Sequence, residues 1–350
     1  MKLLRRRLDG ADQRSAGAGF AGAGAGFRRK LGALGLAIVV LAVLPIPLSE
    51  FRTVQLATVG AYFIAILGLD VLTGHSGQIS LGHGAFIAVG AYTTAILMAN
   101  HGVQDLWTIP IAAGVAGGIG LIAGVPALRL SGLYLALATF GIAVAFPTIL
   151  KKFDHFTGGS TGITLFGKPT QTGHGVGVLG MTNNEWLYAL TWTIAVFCFI
   201  VVWWLLGSRF GRSLRAIRDS ELAAAASGIN RSAYKVAAFG LSAAFAGVAG
   251  ALLAINIAYV SPDTFPIQLS LFLLVGAVVG FFGSIWGAVL GALLILFLPD
   301  LVGLIPHVNT KQAGPTTLFF GLVLVVLMLV LPLVLRAGAA IANRGYPRAQ

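Results

Sequence analysis

The chain has 350 residues, 57% of them hydrophobic and only 10% charged, with 47 glycines. A soluble domain ordinarily carries about 25% charged residues and roughly 7% glycine, so a globular protein with water as its main solvent is excluded. The formal net charge of +12 does not point to nucleic acid either, because most basic residues fall in polar segments between long apolar spans.

Residues 1–30 combine Lys2, Arg5, Arg6, Arg7, Arg14, Arg28, Arg29 and Lys30 with the repetitive stretch SAGAGFAGAGAGF. Such a segment buries too little to offset its ordering entropy, and it is expected to be a disordered, basic, Gly/Ala-rich cytoplasmic leader. Its Gly-Ala alternation lacks the strand before it and the acidic residue after it that a dinucleotide fingerprint needs. The first apolar span ends at Pro45 and Pro47 without a small-x-small cleavage site, which favours an uncleaved first helix over a signal peptide.

A helix needs about 20 apolar residues to cross the hydrocarbon at 1.5 Å per residue. Spans are predicted at 31–49, 52–70, 79–99, 109–128, 131–150, 184–206, 236–258, 268–281, 284–298 and 316–335. The fold class that follows is an all-α polytopic membrane protein of about ten transmembrane helices. The 268–281 and 284–298 spans are short, so they read as a tilted pair or a broken, re-entrant hairpin shielded by its neighbours. With the leader inside, cytoplasmic segments hold the leader charges, Arg129, the basic residues from Arg209 to Lys235, and Arg336, Arg344 and Arg348. Only Arg52, Lys151, Lys152, Lys168 and Lys311 are left outside. The bias and the even number of crossings both put the two termini in the cytoplasm.

The stretch LTGHSGQISLGHGAFIAVGAY, Leu72 to Tyr92, is a polar, glycine-dense break at the mouth of a span. His75 and His83 are eight residues apart, about 80° on an unbroken helix, with no cysteine or carboxylate between them, so no metal is expected. The lysine of a phosphate-binding loop is missing as well. Two readings remain open: Ser76, Gln78, Ser80 and the two imidazoles satisfy freed backbone groups, or they line a translocation path together with Asn256 in the seventh span. Asp70, Glu50 and Asn256 form no acidic relay through the bilayer, which argues against a proton-driven pump. The lone Cys198 lies inside a span and reads as a small apolar side chain.

Residues 151–183 form the one sizeable external segment, rich in glycine, threonine and turn pairs, and read as a loop without a core of its own. Small residues at four-residue spacing let helix backbones approach: Gly114 and Gly118, Gly120 and Gly124, Gly276 and Gly280, and then Gly283, Gly287 and Gly291. The same glycines serve static packing or helices that rock against one another.

Ser208 to Phe239 is the most informative polar region. A short helix is predicted over Gly211–Ser227, ended by Gly228, with Arg215–Asp219 and Arg218–Glu221 pairs each worth roughly 0.2–0.5 kcal/mol. Leu214, Ile217, Glu221, Ala224 and Gly228 would share one narrow face. That face fits a groove of a cytosolic partner, while a basic amphipathic helix lying on anionic membrane lipid is the alternative.

Four blocks in order resemble the permease subunits of branched-chain amino acid ATP-binding-cassette importers, specifically the LivM-like half of the pair. They are GLDVLTGHSGQISLGHGAFIAVGAY, ALRLSGLYLALATFGIA, GRSLRAIRDSELAAAASGI and GAVVGFFGSIWGAVLGA, and the likeness runs from about Pro45 to Leu335. The resemblance implies a transmembrane permease domain over 31–335, with a cytoplasmic coupling segment 208–235, the external loop 151–183 and a cytoplasmic tail 336–350. It implies a subunit of a bacterial inner-membrane importer, working by alternating access and paired with a homologous LivH-like permease. Two cytosolic ATP-binding subunits would drive it, and an extracytoplasmic binding protein would deliver the amino-acid substrate. Arg215, Arg218, Asp219, Glu221, Ala223, Ala224 and Gly228 would then meet the ATPases. The general motif of such permeases has glutamate at position 222, where this chain has Leu222, with Glu221 one step earlier. No nucleotide-binding loop is present in the sequence, so no cofactor and no catalytic site are expected, and ATP hydrolysis would belong to separate subunits. Another amino acid, an amide or urea as cargo is the alternative within the family, and a stand-alone secondary transporter is the alternative outside it.

Overall fold

The computed structural model describes residues 49–130, 132–167, 182–280, 283–284, 286–303, 321–322 and 326. The leader, the tail and nearly all of the expected first and tenth spans lie outside them. The chain divides into two compact units, Met1–Ser49 and Glu50–Gln350, and every helix described belongs to the second.

That unit is helical. The long elements are α1 (Glu50–Leu69), extended by a π-helical turn (Asp70–His75), α2 (His83–His101), α3 (Asp105–Ala127) and α4 (Leu133–Lys152). A four-residue α5 (Asp154–Thr157) and a two-residue strand β1 (Ile163–Thr164) precede α6 (Asn183–Gly207). Two short helices, α7 (Arg209–Asp219) and α8 (Glu221–Ala226), lead into α9 (Arg231–Ile257), then β2 (Tyr259–Val260), α10 (Ile267–Val279) and α11 (Gly287–Gly303). Among the described residues, six segments are long and apolar enough to cross a membrane: Glu50–His75, Asp105–Ala127, Leu133–Lys152, Asn183–Gly207, Arg231–Ile257 and Pro262–Val279. The eight expected spans between 52 and 298 each find a helix.

The core is organised by two of them. The apolar window of α9 is 89% buried and that of α1 with its π-turn 83%, against 33% for α3 and 28% for α4. Helices with this little side-chain difference between faces are positioned by what fits rather than by an apolar stripe, because lipid tails are as apolar as leucine. Glycine makes the fit: a Cβ at Gly90 in α2 would collide with the Gly247 backbone in α9, and one at Gly250 with the Ile87 carbonyl. Gly120 sits against Ala243, and Gly124 lies 3.2 Å from Phe239 Cβ at the position its own Cβ would take. Gly114 and Gly118, expected at a seam as well, meet nothing within 4 Å and lie on a different face of α3 from the packed Gly120 and Gly124.

Aromatic side chains join α1 to α6. Phe63 stacks between Trp192 and Phe199 at centroid distances of 6.2 and 6.3 Å, and the Trp192 indole donates to the Leu56 carbonyl at 3.1 Å. The indole N–H thus finds a partner inside an apolar seam, where leaving it free would cost one to several kcal/mol, on the order of 1–3. The short α10 and α11 form a hairpin closed backbone to backbone at Gly280 against Gly287 and at Gly276 against Gly291.

At one end of the bundle, β1 and β2 pair antiparallel, Ile163 opposite Val260 and Thr164 opposite Tyr259. Lys151 meets Asp263 at 2.7 Å there, and Asn184 donates to Glu50 at 3.4 Å. The described part of the 151–183 segment packs on the bundle, with its Leu165 fully buried. The opposite end carries the π-turn, residues 76–82, α7, α8 and the turn between α10 and α11.

Candidate functional site

The site is built on the break between α1 and α2. The helix of α1 widens to a π-turn at Asp70, and such turns, rare and costly, occur often at functional positions. Gly77, at φ +73°, then turns the chain in the left-handed region that glycine adopts freely. Residues 77–82 run without regular structure until His83 opens α2.

An irregular backbone at this depth must have its polar groups satisfied by protein. The Gln78 amide N–H donates to the Leu72 carbonyl at 3.2 Å, and Thr73 Oγ1 donates to the Gln78 carbonyl at 3.1 Å. Gln78 Nε2 donates to Ser76 Oγ at 2.6 Å and to the Lys235 carbonyl at 3.4 Å. Leu81 N–H donates to Thr139 Oγ1 on α4 at 3.0 Å, Gly82 N–H to Ser80 Oγ at 3.4 Å, and Gly84 N–H to Ser270 Oγ on α10 at 2.9 Å. His83 Nε2 lies 2.9 Å from the Ala65 carbonyl, which can only accept, so that nitrogen carries the proton. His75 Nδ1 stands 3.3 Å from the Asp70 carbonyl and 3.5 Å from its carboxylate.

His75, Ser76, Gln78, Ser80 and His83 are thus gathered in one buried cluster, each engaged with neighbouring chain. Asn256 is not among them. It pairs with Thr191 of α6, through Nδ2 at 3.2 Å, toward the other end of the bundle. Among the described residues no three His, Cys, Asp or Glu side chains come together as a metal set.

The second half of the site is α7 and α8, and here the structure corrects three expectations. The predicted single helix over Gly211–Ser227 is two, because Ser220 is extended (φ −161°, ψ 112°) and its Oγ accepts from Ala223 N–H at 3.3 Å as the cap of α8. The expected ion pairs give way to others: Arg218 lies beside Asp219 at 3.4 Å, and Glu221 pairs with Lys235 and, at 3.7 Å, with Arg231 on α9. The face is also reversed. Leu214, Ile217 and Ala224 are buried against the bundle, while Glu221, Ala223 and Gly228 lie outside.

What α8 presents outward is Leu222, 81% exposed, with Ala223, Ala225 and Ala226 around it. Reading the stripe through Glu221 hid Leu222, yet Ser220 followed by an acidic residue was a helix-start signal that would have reset the register. Gly228, at φ +79°, closes α8 with Ile229 N–H on the Ala224 carbonyl and Gly228 N–H on that of Ala225, both at 3.0 Å.

The two halves touch. Arg218 Nη1 donates to the Gly74 carbonyl at 2.6 Å, and Arg215 Nη1 to that of Leu206 at 3.3 Å. Of the glycines expected at helix seams, Gly276, Gly280, Gly287 and Gly291 lie in the α10–α11 hairpin, whereas Gly283 sits in its turn at φ +87°.

Residues 53–332 match the family described as "Branched-chain amino acid transport system / permease component". The chain belongs to that permease family. This permease is 35% identical over 288 aligned positions to the high-affinity branched-chain amino acid transport system permease protein LivM of Escherichia coli K12, covering 76% of this chain and 67% of that protein. It is 34% identical to LivM of Salmonella typhimurium over the same shares. It is also 25% identical over 254 positions to the permease protein LivH of E. coli K12, covering 67% of this chain and 79% of LivH. Likeness to both indicates a permease pair of common descent. No solved structure matches the chain.

Proposed function

We propose that this permease is the LivM-like subunit of an importer for branched-chain amino acids in a bacterial inner membrane, with both termini cytoplasmic. It pairs with a LivH-like subunit, receives substrate from an extracytoplasmic binding protein, and is driven by two cytosolic ATPases. Hydrolysis belongs to those ATPases, and this chain supplies the path.

The observation that carries the reading is the α7–α8 unit. It packs on the end of the bundle through Leu214, Ile217 and Ala224, leaves Leu222 and three alanines bare, and bonds inward to α1, α6 and α9 through Arg218, Arg215 and Glu221. A small, low-relief apolar surface held this way suits docking into a cleft of a motor protein, with Asp219 and Glu221 at its edge. The polar cluster from His75 to His83 lies directly behind it, at the end of the path that the motor would move.

ATP-dependent leucine uptake is measured in vesicles containing the other components, with and without this chain. Uptake that requires both ATP and the chain is expected. Uptake unchanged by its omission overturns the proposal, and gradient-driven uptake by the chain alone makes it a secondary transporter instead.

A further inference from the structure

The α7–α8 unit is joined to the spanning helices by the chain itself at two places, and both are bends. Ser208 is extended between α6 and α7, and Gly228 turns left-handed before Asn230 caps α9. Two bends define an axis about which a pair of short helices can swing. A third attachment off that axis removes the freedom.

Arg218 supplies it. The residue reaches 144 positions back to the Gly74 carbonyl at 2.6 Å, and its stem lies on Gly77, where a Cβ would stand 3.0 Å from Arg218 Cγ. On the other side of the same π-turn, Asp70 Oδ1 accepts from Gly283 N–H at 2.6 Å, holding the turn between α10 and α11. A Cβ at Gly74 would collide with that Asp70 oxygen and stand 2.7 Å from Gly283 N, so the three segments meet with no layer between them. The second Asp70 oxygen makes no hydrogen bond among the described residues and faces His75 Nδ1 at 3.5 Å. A buried carboxylate tolerates that only while its surroundings are held in place.

We propose that Arg218 and Asp70 are positioning residues that strap α7–α8 to the end of α1 and to the α10–α11 hairpin, so that displacement of the short helices is carried into all three. The inference rests on the reading of α7–α8 as the surface that meets the ATPases.

The test uses the complete complex in proteoliposomes with its binding protein. For Arg218→Ala leucine uptake per ATP hydrolysed is expected to fall about tenfold or more in the assembled complex, the scale of losing one charge-assisted hydrogen bond. Arg218→Lys, which keeps a donor and the charge, recovers part of that ratio. Loss of assembly, or an equal fall in uptake and hydrolysis for both variants, means a merely structural role and overturns the strap.

A covalent substitute sharpens the test. The Cβ position at Gly77 lies 3.6 Å from Arg218 Cβ, within the roughly 3.5–4.5 Å that a disulfide spans. In Gly77→Cys/Arg218→Cys, oxidation with copper phenanthroline is expected to form the cross-link and raise uptake per ATP above that of the reduced pair. Failure to cross-link in membranes, which needs neither cargo nor ATP, overturns the geometry, and a cross-link without recovery overturns the mechanism. A wild-type complex without ATP-dependent leucine uptake would instead strike the functional reading while leaving the cross-link result standing.

Discussion

The two ends of the bundle hold irregular backbone by different means. Around β1 and β2 the ties are a backbone ladder, the Lys151–Asp263 pair with its carboxylate 70% exposed, and the Asn184–Glu50 contact. Around the π-turn, three buried side chains bond to single backbone groups, Asp70 to Gly283, Thr139 to Leu81 and Ser270 to Gly84, and the 42%-exposed Arg218 reaches in to the buried Gly74 carbonyl. Exposed ion pairs in water are worth little and are replaced by solvent when broken, whereas a buried donor or acceptor has no such substitute. One end is fastened redundantly at small cost per tie, and the other is fastened by few ties that each matter.

Substitutions that break this contrast are ranked by expected size. Gly74→Leu forces a side chain into the Asp70 and Gly283 contact and should destabilise the chain by about 3 kcal/mol or more, from overpacking together with a lost buried bond. Thermal unfolding in detergent should show the largest fall in midpoint of this series. Thr139→Val keeps the shape but leaves Leu81 N–H without its acceptor, with an expected cost of about 1–2 kcal/mol in the same assay. Glu185→Ala opens the capping box that Thr182 and Glu185 form at the start of α6, for about 0.5–1 kcal/mol. Lys151→Ala should cost under about 1 kcal/mol and lose even that in high salt. A Lys151 effect as large as that of Thr139 would erase the distinction between the ends.

The spans were legible because length and apolarity suffice to name a crossing, and each expectation between 52 and 298 met a helix. The ordered break at Gly74–Gly84 was legible for the same reason, since glycine, serine and histidine there contradict a continuous helix. Its partners were not. Asp70 finds Gly283 across 213 residues, and no local pattern encodes that pairing. Gly114 and Gly118 share the spacing of Gly120 and Gly124, yet face away, because spacing identifies a row of glycines and not the helix it meets. Arg- and Leu-containing α7 before Ser220 and the alanine run of α8 after it both have high helix propensity, so propensity concealed the break that the serine cap makes.

The approach of α2 and α9 at Gly90 and Gly247 bears on how such a machine is able to deform. With no side chains interposed, a slide of about one turn (roughly 5.4 Å) along α9 would bring Ala243 or Ala251, four residues from Gly247 on the same face, toward the facing main chain. Parallel sliding is sterically barred along that line of contact, and the pair behaves as a single stiff girder. Any change of shape must be absorbed where the polypeptide is already bent, leaving the girder to tilt as one piece.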